Sequence, residues 1–452
     1  MRDTAGLESS GLTRIIWKNS WPLLGLMLLN FLVGYTDVYV AGLLGPDVQA
    51  AVGFISQQYF VLIILGNALG VGSVALISQA SGKGDWERVV DITRQTMLVA
   101  SSLGALLTLA VFFGAEAILR PFNLPAPIQP IALTYLRIYA FALAPNYAII
   151  AAAAVFRAIG KPLFAFWIMA LVTALNVAAA FGLVFGLGPL PKLGYAGIAW
   201  ATASAMTVGA VFVLALYRGR EWRSLWKERF RISGGIVRSI AAISWPAALL
   251  QAGWHTGGLA LYEFLGRMGE GSVAAMAAYS NGLRLESISF LPAFALNMAA
   301  AVLVGQSLGA GSVERARTVG RRMAIGGALI LSLFAAVLFI AAPRFASMLT
   351  SDPHVWSETL RYVRINLLVA PFMVTGMVLG GAMQGAGDTR GVMTIIILAM
   401  WGIRIPLAAA LAFGLDMGAL GVWVAMDISM VIQAFLMVRR FSGNGWFKAH
   451  GG

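Results

Sequence analysis

Twelve apolar runs follow one another along this 452-residue chain, each longer than about 20 residues, the length that crosses a bilayer as a helix. Their approximate cores are 15–44, 52–80, 89–115, 131–157, 163–186 and 195–217, then 238–266, 275–306, 318–341, 358–383, 391–413 and 417–438. Lipid offers no partners to backbone N–H and C=O groups, so such runs must close their hydrogen bonds internally, as helices. The composition agrees: 59% of residues are hydrophobic and 11% charged, too few charges to cover a water-soluble surface of this size. The expected fold is an all-α polytopic membrane protein. The first run is too long for a signal-peptide core and carries an acid, so it is read as a retained span.

Basic residues set the orientation. With the N-terminus in the cytoplasm, most of the 32 Lys and Arg residues fall in cytoplasmic segments, among them Arg218, Arg220, Arg223, Lys227, Arg229, Arg231 and Arg238 between spans six and seven. Both termini are therefore expected inside. The net charge of +13 is a topology signal and a collar for membrane lipids, and no nucleic-acid partner is expected. The chain has no cysteine, hence no disulfide or thiolate site. His255, His354 and His450 are too few for a histidine metal centre.

The chain repeats itself. Ser20-Trp21-Pro22 recurs as Ser244-Trp245-Pro246, and Ser78-Gln79-Ala80-Ser81-Gly82 recurs as Gly305-Gln306-Ser307-Leu308-Gly309. Phe156-Arg157-Ala158-Ile159-Gly160 pairs with Met383-Gln384-Gly385-Ala386-Gly387, and Tyr195-Ala196-Gly197 with Ala419-Leu420-Gly421. Four matches in one order, at offsets of 224 to 227, define two halves of six spans with the same orientation. Parallel repeats of this kind place a substrate path between them. The expected organisation is an N-terminal lobe (1–217), a cytoplasmic linker (218–237) and a C-terminal lobe (238–452).

No phosphate-binding loop is present, so ATP-driven transport by this chain is not expected. The Gly-rich stretches after spans two and eight read as helix caps. An ion gradient is left as the energy source, and it needs an exchangeable group inside the membrane. The intramembrane acids are Asp37, Glu263, Glu286 and Asp427. Glu263 lies near the outer end of its span and can snorkel. Glu286 cannot face Arg284, two residues away. It is expected to meet a cation across a helix interface, with Arg404 the candidate, which makes this a structural pair. With Asp427 and His255 these residues form a C-lobe polar network.

Asp37 differs, because no basic residue of the first half lies at its depth. Asn30, Gly34 and Asp37 share one helix face. Asp37 lies about 12 Å from the turn at Gly45-Pro46, by the 1.5 Å helical rise, which puts it in the outer half of the membrane. Pro22, earlier in the span, removes a backbone hydrogen bond and favours a bend. Tyr135, Tyr139, Asn176 and Thr202 are the polar side chains available as partners, each otherwise read as helix-to-helix glue. No nucleophile with a base, paired-acid motif or metal set is found, so an enzyme is not expected.

Twelve spans, the six-plus-six repeat, the span-ending Ser78–Asp85 and Val304–Gly311 stretches and the turn Met383-Gln384-Gly385-Ala386-Gly387-Asp388-Thr389 resemble the MATE family of multidrug and toxin extrusion antiporters, part of the MOP group. Pro22 and Asp37, with Arg284-Leu285-Glu286-Ser287 and Arg404-Ile405-Pro406, resemble its DinF branch. The resemblance implies two six-helix lobes in a V that open alternately. It implies a monomer in the bacterial inner membrane, without cofactor, exporting small organic, often cationic or amphiphilic compounds on an H+ or Na+ gradient. Asp37 would then be the coupling site, Asn176 an amide of the same site, and Pro22 the bending point. Many relatives carry a second carboxylate one turn after that amide, where this chain has Ala180; the NorM branch has one in span seven, where counting from Pro246 gives Trp254. Losing both removes hard oxygens that Na+ needs, which favours H+. A lipid-linked oligosaccharide flippase of the same superfamily is the alternative, but such proteins carry a cationic central cavity.

Overall fold

The computed structural model describes residues 9–227 and 232–447; Arg229, Arg231 and His450 lie outside the described residues. Among the described residues all regular structure is helical. The first half contains α1 (Ser9–Leu44), α2 (Pro46–Lys83), α3 (Trp86–Leu119), α4 (Ile128–Ala140), α5 (Leu143–Ala158), α6 (Pro162–Phe185) and α7 (Tyr195–Leu216). A short α8 (Arg223–Lys227) lies in the linker. The second half contains α9 (Gly234–Gly266), α10 (Ser272–Gly309), α11 (Val313–Leu349), α12 (Pro353–Leu368), α13 (Ala370–Gly385), α14 (Thr389–Ile397), α15 (Ile405–Ala409) and α16 (Ala419–Ser442). Among the described residues ten helices, with Thr389–Gly414 taken as one, are long and apolar enough to cross a bilayer, and two bent pairs, each taken as one span, bring the number to twelve.

The bent pairs correct two expectations of continuous spans. α4 and α5 meet at 48°, and α12 and α13 at 55°. Pro145 and Pro371 stand at the starts of α5 and α13. A proline there has no N–H to give, and its ring collides with the carbonyl four residues earlier. The bends fall at matching places in the repeat.

The repeat is also visible in the backbone. Gly84 and Gly311, 227 apart, both have φ 79°, and Gly194 and Gly418, 224 apart, have φ 57° and 58°. These are left-handed positions that glycine occupies without strain. Asp85 caps α3 by accepting from the Arg88 N–H, and Ser312, its repeat mate, caps α11 by accepting from the Arg315 N–H.

One span departs from its mate. α6 is a regular helix of 24 residues. Its counterpart, Thr389–Gly414, has 26 and is interrupted by π-helical turns at Leu398–Arg404 and Ala410–Gly414. A π bulge absorbs an extra residue, so two bulges account for the added length. Past the first bulge the repeat brings Arg404 to the position of Asn176.

The chain divides into two compact units. One is Trp21–Trp245; the other is Pro246 onward together with the start of α1. Both divisions fall within a Ser-Trp-Pro triplet. In the first unit small residues let helices close up: Ala151, Ala152, Ala153 and Ala154 of α5 are all buried, and a Cβ on Gly70 of α2 would lie 3.7 Å from that of Ala154. The first turns of α9 pack on α2 at Gly72, where a Cβ would fall 2.8 Å from the Ile240 carbonyl oxygen. In the second unit Gly381, the repeat mate of Ala154, would put a Cβ 2.2 Å from the carbonyl oxygen of Asn297, the mate of Gly70. The same contact is kept, with the small residue on the other helix.

The linker is pinned to the first unit. Trp222 is buried among Trp86, Phe156 and Tyr217, with ring centroids 5.2, 6.2 and 5.0 Å away. The buried Arg94 guanidinium pairs with Asp91 and donates to the Ser224 and Leu225 carbonyls.

Candidate coupling site

Asp37 lies on the buried side of α1 and is 1% exposed. α6 and α7 bring polar groups to it. Close packing sets their placement: Gly197 of α7 backs onto the Leu183 backbone of α6, and Gly209 onto Val172. Thr173 of α6 approaches α1 with its hydroxyl 3.3 Å from the Leu29 carbonyl oxygen. One turn further, Asn176 Nδ2 donates to Asp37 Oδ1 at 3.4 Å and to Thr202 Oγ1 at 2.8 Å. The Thr202 hydroxyl donates to Asp37, 3.0 Å from Oδ2 and 3.3 Å from Oδ1. The three side chains form a closed cluster in which Thr202 accepts from the amide and donates to the carboxylate.

Among the described residues no cation bonds to the cluster. Two neutral donors cannot offset a full negative charge removed from water. A proton or a cationic ligand would stabilise such a carboxylate. Asn176 Oδ1 is buried without a hydrogen-bond partner, so an acceptor stands beside the carboxylate for whatever neutralises it.

Tyr135 and Tyr139 of α4 are buried and stacked, centroids 5.2 Å apart. Neither hydrogen-bonds Asp37, and the Tyr135 hydroxyl has no partner. Tyr139 meets Tyr59 of α2 edge-on at 4.5 Å, and the Tyr59 hydroxyl accepts from Asn146 Nδ2 at 2.9 Å, just past the α4–α5 bend. Sequence reasoning missed Tyr59, Asn146 and Thr173. Tyr59 could have been found as the repeat mate, 227 residues earlier, of the singled-out Glu286.

Asn30 and Gly34 are not brought to Asp37. Both are exposed, and the Asn30 amide turns back on its own helix to the Leu26 carbonyl at 3.1 Å. Helical spacing put them on one edge of α1, but burial there skips Asn30 and Gly34 and takes in Leu26, Val33, Thr36 and Asp37. Pro22 is buried and α1 continues through it.

In the second unit the expected Glu286–Arg404 ion pair is not made. Glu286 accepts from the Tyr362 hydroxyl at 2.8 Å. Arg404, 3% exposed, donates from Nε to Ser429 Oγ at 2.7 Å and lies over the Trp254 ring, 5.1 Å from its centroid. The π turn that carries Arg404 rests on α9, where Trp401 Nε1 donates to the Gly253 carbonyl at 3.1 Å. Arg284 is exposed, and His255 and Asp427 are partly buried. The Asp427 Oδ1 atom is buried without a hydrogen-bond partner. Glu263 is exposed and pairs with Arg267 one turn on, at 2.8 Å.

Twelve membrane spans in two repeated halves, with a neutral-walled buried carboxylate, are the architecture of a membrane transporter. The MatE family model matches residues 22–181 and 246–410, beginning at Pro22 and Pro246. The chain belongs to the MatE family; it is an integral membrane transport protein and not an enzyme. It is 28% identical to a probable multidrug resistance protein NorM of Bradyrhizobium diazoefficiens, over 90% of this chain and 88% of that one. It is 25% identical to a protein of the same name in Thermotoga maritima, over 95% and 92%. Among solved structures, a MOP superfamily transporter from Pyrococcus furiosus aligns with TM-score 0.87 and 20% identity, covering 95% of this chain and 96% of that one. A variant of the Vibrio cholerae MATE transporter VcmN aligns with TM-score 0.87 and 21% identity, covering 97% and 99%. These likenesses carry the twelve-helix MATE fold.

Proposed function

We infer that the chain is a proton-coupled exporter of small organic, cationic or amphiphilic compounds, working by alternating access between lobes 1–217 and 238–452 joined by 218–237. It would act as a monomer in a bacterial inner membrane, with both termini in the cytoplasm. The observation that carries this reading is the Asp37 cluster: a carboxylate buried against Thr202 and Asn176, with no cation bonded to it. Proton and cationic substrate compete for one negative charge, and each stabilises a different conformer of a two-state protein. Pro22 leaves the Lys18 carbonyl without its helical donor, so α1 can bend there when Asp37 changes charge. The relatives' names support drug export as the transport class. The flippase alternative lacks support, since among the described residues no Lys or Arg bonds to the Asp37 cluster to receive a pyrophosphate.

The test is efflux of a fluorescent organic cation from proteoliposomes, with pH and Na+ gradients imposed separately. The expected result is efflux driven by the pH gradient and none driven by Na+ alone. Na+-driven efflux at matched pH would replace the proton with Na+ at the same carboxylate, where Asn176 Oδ1 would serve as a further ligand.

A further inference from the structure

At the end of the first unit that carries the linker, a solvent-open recess of about 320 Å3 lies between the α5–α6 turn and the chain leaving α7. Its walls are apolar, with Phe156, Phe164 and Trp222 prominent, and its polar groups are Lys161, Arg220 and Glu221. The volume suits a small-molecule site. Arg220 is exposed and makes no ion pair among the described residues. Lys161 Nζ meets Glu221 at 2.6 Å, but both side chains are substantially exposed, at 41% and 58%. Such a pair contributes little and exchanges readily for a stronger anion.

Depth identifies the kind of anion. Trp86 and Trp167 are exposed around this same end, and exposed tryptophans on membrane helices mark the headgroup level. Beside the recess, Leu163, Phe164 and Trp167 of α6 present an exposed apolar strip running away from the linker and along the span. A ligand here meets two cations at headgroup depth and a hydrocarbon surface directly below.

We propose that this recess binds the phosphate headgroup of an anionic phospholipid, between Lys161 and Arg220, with an acyl chain along Leu163 and Trp167. Occupancy loosens Glu221 from Lys161. Because Trp86 Nε1 donates to the Glu221 carbonyl at 3.1 Å, the lipid sits against the segment that begins the linker.

The test is native mass spectrometry of the full chain in detergent with phosphatidylglycerol, phosphatidylcholine or soluble glycerol phosphate. Phosphatidylglycerol is expected to be retained, and the other two not. Removing one cation by Lys161→Gln or Arg220→Gln weakens retention about fivefold, and removing both weakens it further, by the value of a basic residue near an anionic membrane. Glu221→Gln removes the competing carboxylate and is expected to increase retention, a gain that misfolding cannot produce. Equal retention of phosphatidylcholine, or retention unchanged in the double variant, overturns the site. Glycerol phosphate retained as well as the lipid assigns the recess to a soluble anion and overturns the lipid.

Discussion

The two units place different chemistry on matching positions of one scaffold. In the first, α1, α6 and α7 bring Asp37, Asn176 and Thr202 together. In the second, the repeat puts Leu261, Arg404 and Met426 at those places, so the carboxylate is gone and a buried cation stands where the amide was. A second set of matches runs the other way. Tyr59, Tyr135 and Tyr139 of the first unit become Glu286, Tyr362 and Asn366, 227 residues on. There the acid sits on the second helix of the unit, bonded by Tyr362. The scaffold thus fixes where helices bend and cross, while the charge-bearing residues are free to move between positions. Among the described residues, only in the first unit is a buried carboxylate left with partners that are all neutral and an unpartnered acceptor beside it. That difference is why we propose coupling at Asp37.

The comparison can be broken at the basic ends of the units. Lys161 and Asp388 occupy the same turn, yet their pairs differ. Asp388 is buried, and Arg440 holds it with two hydrogen bonds, 2.6 and 2.8 Å, whereas Lys161–Glu221 is exposed. Arg440→Ala leaves a buried carboxylate without its cation and is expected to cost about 2–3 kcal/mol. Lys161→Ala is expected to cost less than about 1 kcal/mol. Thermal unfolding in detergent checks the pair, and equal losses would mean that burial is not what separates the two turns.

The tyrosines sharpen it with a smaller effect. Tyr362→Phe removes the donor to Glu286 and is expected to cost about 1–2 kcal/mol. Tyr135→Phe removes a buried hydroxyl that has no partner and is expected to be neutral or slightly stabilising. The same unfolding measurement decides. A loss at Tyr135 as large as that at Tyr362 would show that the repeat mates do equal work.

Much of this was legible in the sequence, for reasons that can be named. Spans follow from the lack of backbone partners in lipid, and the repeat from motifs at nearly constant offset. The Asp37 cluster was legible because a lone acid at depth must find polar neighbours, and Asn176 and Thr202 were among the few available. Asn30 was misassigned because helical spacing gives an angular position but not the neighbour that covers it. The Glu286–Arg404 pair failed because opposite charges attract in any pattern, while a tyrosine hydroxyl and a tryptophan face satisfied them separately. The bends had a signal in Pro145 and Pro371. The π turns had none, since the repeat offset falls from 227 to 224 across that span while its helix is two residues longer, and they decide which residue faces which across that helix.

The most direct measurement is drug extrusion by Asp37→Asn in everted membrane vesicles, with expression and folding matched to the natural protein. The amide keeps the size and the hydrogen bonds to Thr202 and Asn176 but cannot exchange a proton. Extrusion driven by a pH gradient is expected to fall to background, while Asp427→Asn, in the other unit, is expected to retain most of it. Extrusion by Asp37→Asn at the natural level would contradict the central claim.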